Sequence, residues 1–202
     1  MRYEAADCAS LPVFRILETF YFEEPVNSIR GIFNGTCNYL LTRMESDPRE
    51  LEQLLPEAQR LGYAEVDPTD DIDGHDTVFK LLLLIRSTWG DILQPSDVHR
   101  SGIRALQQED MARARNNNRR LKLVAEASRE NGMVRASVGV REIGPDDPLY
   151  HVSAENNILQ VMGAWSGPQH YTGRGAGSLP TGKAMLQDVL DLAARHSFTL
   201  AN

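Results

Sequence analysis

The segment that most restricts how this chain can fold is the run DTVFKLLLLIRSTW, Asp76 to Trp89. Its apolar residues are distributed around nearly the whole circumference of a helix, so other elements must cover the helix on most sides. One lysine, Lys80, interrupts this apolar surface near its beginning, directly after an acidic loop. The sequence therefore predicts a buried helix with a charged group at its N-terminal end.

The acidic loop before this helix is GYAEVDPTDDIDGHDTVFK, Gly62 to Lys80. Asp76 and Lys80 are four residues apart with the acid first, the favourable order for an intrahelical ion pair. Burial lowers the pKa of a lysine and a nearby carboxylate raises it, so a lysine balanced between the two could exchange protons near neutral pH. The spacing by itself favours a simpler interpretation, an exposed ion pair at a helix start.

The other carboxylates of the loop admit three interpretations. The sequence Asp71-Ile72-Asp73-Gly74 resembles a calcium loop only loosely, because it lacks the register and the final bidentate glutamate. Anions before a helix N-terminus also stabilise the helix without any further function. Alternatively, carboxylates beside a lysine would suit an amino-acid substrate, since they could bind its amine. The residues concerned are Glu65, Asp67, Asp70, Asp71 and Asp73.

Composition excludes several classes of partner. The chain has 202 residues and a formal net charge of −7, so it gains little from a phosphate backbone and nucleic acid is not an expected partner. The longest apolar run, Leu81 to Ile85, is far shorter than the roughly 20 residues that span a bilayer, so no membrane association is expected. Two distant cysteines, Cys8 and Cys37, predict free thiols in a reducing cytoplasm rather than a disulfide or a metal site.

Helical patterns dominate the first half of the chain and strand-like patterns the second. MVRASVGVREI alternates apolar and polar residues like a strand, and residues 151–165 suggest further strand around a polar loop. Residues 111–132 mix helical and strand-like features, and the sequence does not decide between them. This order predicts an α+β fold in which a mostly antiparallel or mixed sheet is covered by helices, as one domain over residues 1–202.

Local signals predict where individual helices begin and end. Ser10 is a candidate N-cap of the first helix, and Asn34 or Thr36 can cap the helix that follows the strand VNSIRGIF. The sequence DPRE at 47–50 offers a cap, a first-turn proline and an acid three residues after the cap. Pro56 lies inside that helix and predicts a kink or a break.

A glycine-rich loop, GRGAGSLPTG, precedes the last predicted helix. Its glycines, Gly173, Gly175 and Gly177, permit close backbone approach, and a helix N-terminus attracts anions. No strand-turn-helix unit surrounds it, so it is not the GxGxxG dinucleotide signature. The pattern favours a structural loop over a phosphate cradle.

Three segments resemble signature regions of the homoserine dehydrogenase family. They are GIFNGTCNYLLTRM (Gly31 to Met44), EAQRLGYAEVDPTDDIDGHDTVFK (Glu57 to Lys80) and GRGAGSLPT (Gly173 to Thr181). They occur in the family's order, and DDPLYHVSAENNILQV (Asp146 to Val161) resembles its later strand region. The similarity extends over nearly the whole chain, from about Tyr3 to Arg195.

The resemblance implies an α+β catalytic domain whose sheet also forms a homodimer interface. It implies that Glu65 holds the amine of the substrate, whereas Asp76 and Lys80 act on the reacting oxygen and its proton. Further substrate-binding positions are Asp71, Gly35 and Thr36. The loop at Gly173 to Gly177 would lie near a nicotinamide. The implied reaction is the NAD(P)-linked interconversion of homoserine and aspartate 4-semialdehyde, in threonine and methionine biosynthesis.

Two departures from the family pattern change these expectations. Family members carry an N-terminal Rossmann domain and a second catalytic lysine at its end, and this sequence matches neither. A separate Rossmann-domain chain is therefore a candidate partner. Where the family has a segment like EAxVGGGIP, this sequence has EAADCASLP, Glu4 to Pro12. The lost glycines and the added carboxylate of Asp7 would alter the approach of the cofactor and the family's monovalent-cation site.

Two hypotheses about function remain. The chain is either the catalytic module of a homoserine dehydrogenase or a non-catalytic relative that binds an amino acid or serves as an accessory dimerising subunit. The first predicts a buried or pocket-lining Lys80 within reach of Asp76. Where a cofactor domain would pack, from Arg2 to Leu17 and in the loop before Lys183, we expect a surface that is unusually apolar or disordered.

Overall fold

In the computed structural model, which describes residues 4–8, 11–175 and 177–199, six strands form one sheet. The strands are β1 (Val26–Ile32), β2 (His99–Arg100), β3 (Arg120–Glu130), β4 (Met133–Ile143), β5 (Asn156–Gly163) and β6 (Gly167–Arg174). Their order across the sheet is β2-β4-β3-β1-β5-β6. All neighbours are antiparallel except the short β2, which runs parallel to β4. The predicted α+β fold with a mostly antiparallel sheet is confirmed.

Seven helices accompany the sheet within the described residues. They are α1 (Val13–Arg15, continued by a π-helical turn at Ile16–Phe20), α2 (Gly35–Ser46), α3 (Leu51–Arg60), α4 (Thr69–Ile72), α5 (His75–Trp89), α6 (Gln108–Asn116) and α7 (Ser178–Thr199). Short 3-10 turns occupy Glu4–Ala6, Pro95–Asp97 and Pro148–His151. The undecided stretch 111–132 contains the end of α6 and the whole of β3. The predicted helix at Asp76 to Trp89 is α5; Val78, Leu81, Leu84 and Ile85 are buried, whereas its other apolar residues are half-buried or, in the case of Phe79, exposed.

The helix predicted to start at Asp47 and Pro48 starts later, at Leu51. Both carboxylate oxygens of Asp47 accept hydrogen bonds from Arg49, so Asp47 does not cap the helix. Glu50 is the N-cap residue instead, and its backbone amide donates a hydrogen bond to the Gln53 side chain at 3.0 Å. The helix also continues through Pro56, where a kink or break is predicted. Pro56 and the residue one turn before it are both exposed, so water can satisfy the carbonyl that loses its partner.

The main hydrophobic core lies between one face of the sheet and helices α2 and α5. Ile29 of β1 and Leu123 of β3 pack there against Leu40, Leu81 and their neighbours. The opposite sheet face has a smaller apolar cluster around Ile32, Val124 and Ile158. A chain of ion pairs covers more of that face: Arg30 lies 3.1 Å from Glu126 and 2.6 Å from Asp147.

The largest group of exposed apolar side chains among the described residues lies on α7. Its exposed side chains are Leu179, Met185, Leu186, Val189, Leu190 and Leu192. By contrast, Leu11, Val13, Phe14 and Leu17 are buried, so most of the apolar surface predicted for the N-terminal segment is absent. Ser10, the predicted cap, lies outside the described residues. No helix in the described part of the chain is long and apolar enough to cross a membrane.

Candidate active site

The end of β1, the N-terminus of α2 and the N-terminus of α5 meet at one corner of the core. Asn34 is the N-cap of α2: its side-chain oxygen accepts a hydrogen bond from the Cys37 amide at 2.8 Å. Its side-chain amide donates to Asp71 Oδ1 at 2.6 Å and to Asp76 Oδ2 at 2.9 Å. Asn34 therefore holds the two carboxylates of the acidic loop together while its own side chain is buried.

Lys80 lies one turn into α5 and completes this cluster. Its ammonium group is 2.9 Å from Asp76 Oδ2 and donates a hydrogen bond to the Phe33 carbonyl at 3.0 Å. The Lys80 side chain is 17% exposed and that of Asp76 is 32% exposed, so both reach the surface of the site. The structure thus has a mostly buried Lys80 amine within reach of Asp76, as predicted, and not the fully exposed ion pair that spacing alone favoured.

The protonation state of Lys80 differs from the predicted balance. Burial lowers the pKa of Lys80, but the opposing charges of Asp76 and Asp7 together outweigh it, so the pKa is raised above 10.5. Lys80 is consequently an ammonium group at neutral pH. It can donate a hydrogen bond or a proton to an oxygen, and it binds negative charge developing on that oxygen.

Asp7 brings a further carboxylate toward Lys80 from the N-terminal segment. It is 1% exposed, and one of its oxygens accepts a hydrogen bond from the Cys8 thiol at 3.0 Å. The other oxygen, Oδ2, is buried and has no hydrogen-bond partner among the described residues. Burial raises the pKa of Asp7 to about 6, against the opposing influence of Lys80. Cys8 itself has a φ of 49°, a backbone conformation that glycine adopts more readily.

The other predicted substrate-binding residues occupy different environments. Thr36 donates its hydroxyl proton to the Tyr63 carbonyl at 2.7 Å, which fixes the loop after α3 against α2. A Cβ on Gly35 would lie 3.0 Å from the Glu155 carbonyl oxygen, so glycine permits this close packing. Glu65 is exposed, and no hydrogen bond or ion pair of its carboxylate occurs within the described residues. Glu65 therefore lies on the same loop as Asp71 but outside the Asn34 network.

The remaining acids of the loop have structural contacts. Asp67 accepts hydrogen bonds from the amide and hydroxyl of Thr69 at the start of α4, as expected for a capping residue. Asp73 forms an ion pair with Arg104 at 2.6 Å. Among the described residues, no group of three or more His, Cys, Asp or Glu side chains is arranged to hold a metal ion, so the calcium interpretation has no support.

The three glycines predicted to face a cofactor mostly serve the packing of the chain. Gly173 lies in β6, opposite Asn157 of β5. A Cβ on Gly175 would lie 2.3 Å from the Asn157 side chain, so the space beside Gly175 is already filled. Gly177 has a φ of +124° and precedes α7. The described strands contain no βαβ unit of the dinucleotide-binding kind.

The sequence does not reveal that Asn34 joins two carboxylates, nor that Asn157 is fully buried. Asn34 was predicted as a cap, but its contacts to acids 37 and 42 residues away leave no local signal. Asn157 is fully buried, and neither of its amide atoms has a hydrogen-bond partner among the described residues. It lies on β5, where Asn156 and Gln160 are also polar, so its residue type does not distinguish it.

Comparison with known proteins identifies the family of this chain and agrees with its fold. The family model described as homoserine dehydrogenase matches residues 12–190. An NAD(+)-dependent homoserine dehydrogenase from Pseudomonas canavaninivorans is 35% identical over 94% of this chain and 54% of its own length. The chain belongs to the homoserine dehydrogenase family, whose members are oxidoreductases.

Solved structures agree with this assignment. The crystal structure of a homoserine dehydrogenase from Thiobacillus denitrificans superimposes with a TM-score of 0.92 at 34% identity, covering 96% of this chain and 45% of that one. A hyperthermophilic archaeal homoserine dehydrogenase mutant in complex with NADPH gives a TM-score of 0.80 at 26% identity, over 96% of this chain and 55% of that one. This chain spans about half the length of the curated relatives it matches.

Proposed function

We propose that this chain is the substrate-binding and catalytic part of a homoserine dehydrogenase, which interconverts homoserine and aspartate 4-semialdehyde in threonine and methionine biosynthesis. The observation that carries the proposal is the Lys80 ammonium, 2.9 Å from Asp76 and oriented by the Phe33 carbonyl. Membership of the homoserine dehydrogenase family supports it.

In this proposal Lys80 is the proton donor to the reacting oxygen. Since its pKa is raised, Lys80 is charged when a carbonyl substrate arrives and can transfer its proton as the carbonyl is reduced. Asp76 keeps the ammonium in place, and Asn34 keeps Asp76 in place. In the opposite direction, the substrate hydroxyl returns a proton to the neutral amine.

The proposed substrate contacts come from the loop around Lys80. Glu65 would bind the substrate amine. Its exposed carboxylate can turn toward a ligand without breaking a hydrogen bond or ion pair within the described residues. Asp71 stands beside Asp76 through their shared contact with Asn34, so it is available to a polar group of the same substrate. Gly35 and Thr36 are proposed as further contacts at the N-terminus of α2, where backbone amides favour a carboxylate.

The cofactor would accept or supply the hydride when bound, and its binding domain is proposed to come from outside the described residues. Gly173, Gly175 and Gly177 are proposed to border the nicotinamide from the substrate side. The exposed apolar face of α7 supports docking of another domain, whether from a longer chain or a separate one. A monovalent cation is not part of the proposal, because Asp7 and Cys8 replace the family's glycine segment.

The proposed assembly is a homodimer formed through the sheet face opposite α2 and α5. Its support is the combination of a small apolar cluster with a chain of ion pairs on a face that α2 and α5 leave uncovered. We expect the protein in the cytoplasm, where the buried thiols of Cys8 and Cys37 would stay reduced.

A turnover assay tests the proposed function. The purified chain would be incubated with L-homoserine and NAD+ or NADP+, alone and together with a separately produced homoserine dehydrogenase cofactor domain, and nicotinamide reduction followed by absorbance. We expect turnover in the mixture and none when Lys80→Ala replaces the native chain. Absence of turnover in every pairing, with folded protein, would contradict the catalytic proposal.

A non-catalytic amino-acid-binding or accessory dimerising role is the second candidate. The buried Asp7 carboxylate near Lys80, and Cys8 in a conformation suited to glycine, favour it, because both narrow the side from which a cofactor would approach. Calorimetry distinguishes the two functions. Binding of L-homoserine without binding of NAD(P), even beside a cofactor domain, would favour the non-catalytic role.

A further inference from the structure

A cavity of about 320 Å³ lies at the C-terminal end of α2, whereas the candidate active site lies at the N-terminal end of the same helix. The buried residues Met111, Ala114 and Leu121 line one side of it. Charged residues line the rest, notably Glu45 and Arg119. This cavity shares no lining residue with the Lys80 cluster, so it is a separate feature of the chain.

Glu45 enters the cavity without a close partner for its carboxylate. Its Oε1 atom is buried and has no hydrogen bond among the described residues. The nearest cations are Lys122 Nζ at 4.0 Å from Oε1 and Arg120 Nε at 3.5 Å from Oε2. Both distances exceed the roughly 2.7–2.9 Å of a charge-assisted hydrogen bond. Because Oε1 is buried toward Lys122, Oε2 is the oxygen that can accept a closer donor than the chain provides.

Two arginines beside the cavity, Arg115 and Arg119, also have few hydrogen-bond acceptors among the described residues. Arg115 makes only a long hydrogen bond, 3.4 Å, to the Glu45 carbonyl. No acceptor for the Arg119 guanidinium occurs within the described residues. Arg120 is already engaged, since it stacks on the Tyr150 ring and donates to the Tyr150 carbonyl at 3.0 Å. Arg115 and Arg119 thus retain several N–H donors in the planar arrangement that suits a carboxylate.

One helix end adds to this separation of charge. α2 ends at Ser46, next to Glu45 in the cavity lining, and a helix C-terminus favours a cation. The cavity therefore has an ammonium-binding side at Glu45 and a carboxylate-binding side at Arg115 and Arg119. We propose that it binds a small α-amino acid in this orientation, at a site distinct from the candidate active site.

Lys122 links the Glu45 side of the cavity to the first turn of α2. This fully buried lysine lies between Glu45 and the first turn of α2, where it donates a hydrogen bond to Asn38 Oδ1 at 3.2 Å. Asn38 is four residues after Asn34, the residue that joins Asp71 and Asp76. A ligand that moves Glu45 would change the Glu45–Lys122 ion pair and, through Lys122, the hydrogen bond to Asn38.

Titration calorimetry with L-serine tests the proposal. Glycerate lacks the amine and ethanolamine lacks the carboxylate, so both should bind much more weakly than serine. The Arg119→Gln variant should weaken serine binding about tenfold or more, because it removes a charge-assisted contact. Glu45→Gln should do the same, and Arg60→Gln, an exposed arginine on α3, is the matched control.

A second pair of substitutions separates this cavity from the candidate active site. Serine binding should persist in a Glu65→Gln, Lys80→Ala double variant. No measurable serine binding, loss of binding in that double variant, equal binding of glycerate, or unchanged binding in Arg119→Gln would each overturn the proposal. Since Arg119 is exposed, its substitution tests the site even if Glu45→Gln fails to fold.

Discussion

The two buried lysines of this chain have opposite electrostatic environments. Lys80 is in direct contact with Asp76, and its pKa is raised. Lys122 is fully buried in β3 and donates to the Val152 carbonyl at 2.7 Å and to Asn38, while its nearest carboxylate, Glu45, is 4.0 Å away. Burial lowers the pKa of Lys122 to about 8, and Glu45 only partly offsets this.

The difference shows what determines the charge of a buried lysine. Burial alone disfavours the ammonium group in both places, and neutral carbonyl partners do not reverse this at Lys122. A carboxylate in contact does reverse it at Lys80. The environment of Lys80 keeps its ammonium group charged at the edge of the candidate active site. The environment of Lys122 instead disfavours the charged form of its ammonium group inside the fold.

The largest expected effect comes from removing the ammonium group of Lys80. In a complete enzyme containing this chain, Lys80→Ala should lower kcat by about 10²–10⁴-fold, the range for loss of a positioned proton donor. The fold should remain intact, which circular dichroism can verify. Phe79→Ala, an exposed neighbour on α5, is the control. Turnover that survives Lys80→Ala would contradict the role of Lys80 as the proton donor.

Removing Lys122 should instead change how stability depends on pH. Its native pKa of about 8 lies below the unfolded value of 10.5, so the unfolded state binds more protons between these values. The free energy of unfolding of the native chain, relative to Lys122→Met, should therefore rise by about 3 kcal/mol between pH 8 and 10.5 and stay constant below pH 8.

Urea unfolding of both proteins across this pH range measures the difference, and Lys183→Met, which removes an exposed lysine, is the control. Taking the difference between variants cancels the titration of tyrosines and thiols. If the difference in unfolding free energy between the two proteins stays constant from pH 8 to 10.5, burial does not lower the pKa of Lys122.

Asp7 should change the free energy of unfolding by a somewhat smaller amount, in the acidic range and with the opposite dependence on pH. Its native pKa of about 6 lies above the ordinary 3.8, so the native state resists ionisation of this carboxyl. Relative to Asp7→Asn, the native chain should lose about 2–3 kcal/mol of stability as pH rises from 3.8 to 6, with no further change above that. Thermal unfolding of both proteins at several pH values checks this, and a stability difference between them that stays constant from pH 3.8 to 6 would be inconsistent with it.

Much of this arrangement follows from local sequence. The Asp76–Lys80 pair was predictable because residues four apart share a helix face, and α5 because its apolar residues surround the helix. The start of α3 was predicted wrongly, since the local preference of Asp47 for capping lost to its ion pair with Arg49. Arg49 also binds Glu57 on the next turns of α3, a contact that capping patterns do not include.

The partners of the two lysines could not be predicted in the same way. Lys122 occupies a strand position like any alternating residue of β3, and its partners Asn38 and Val152 come from distant parts of the chain. Asp7 was recognised as an added carboxylate, but only the fold brings it toward Lys80. Long-range packing determines these contacts, so periodicity and spacing carry no information about them.

Direct titration of the lysines tests the central comparison. The sequence contains only three lysines, Lys80, Lys122 and Lys183, so the side-chain NMR signals of lysine-labelled protein can be assigned by single substitutions. We expect Lys122 to lose its proton near pH 8, while Lys80 remains charged beyond pH 10.5. In Asp76→Asn, the pKa of Lys80 should fall toward that of Lys122. A native Lys80 that titrates at or below the pH at which Lys122 titrates would contradict the assignment of Lys80 as a carboxylate-stabilised ammonium group.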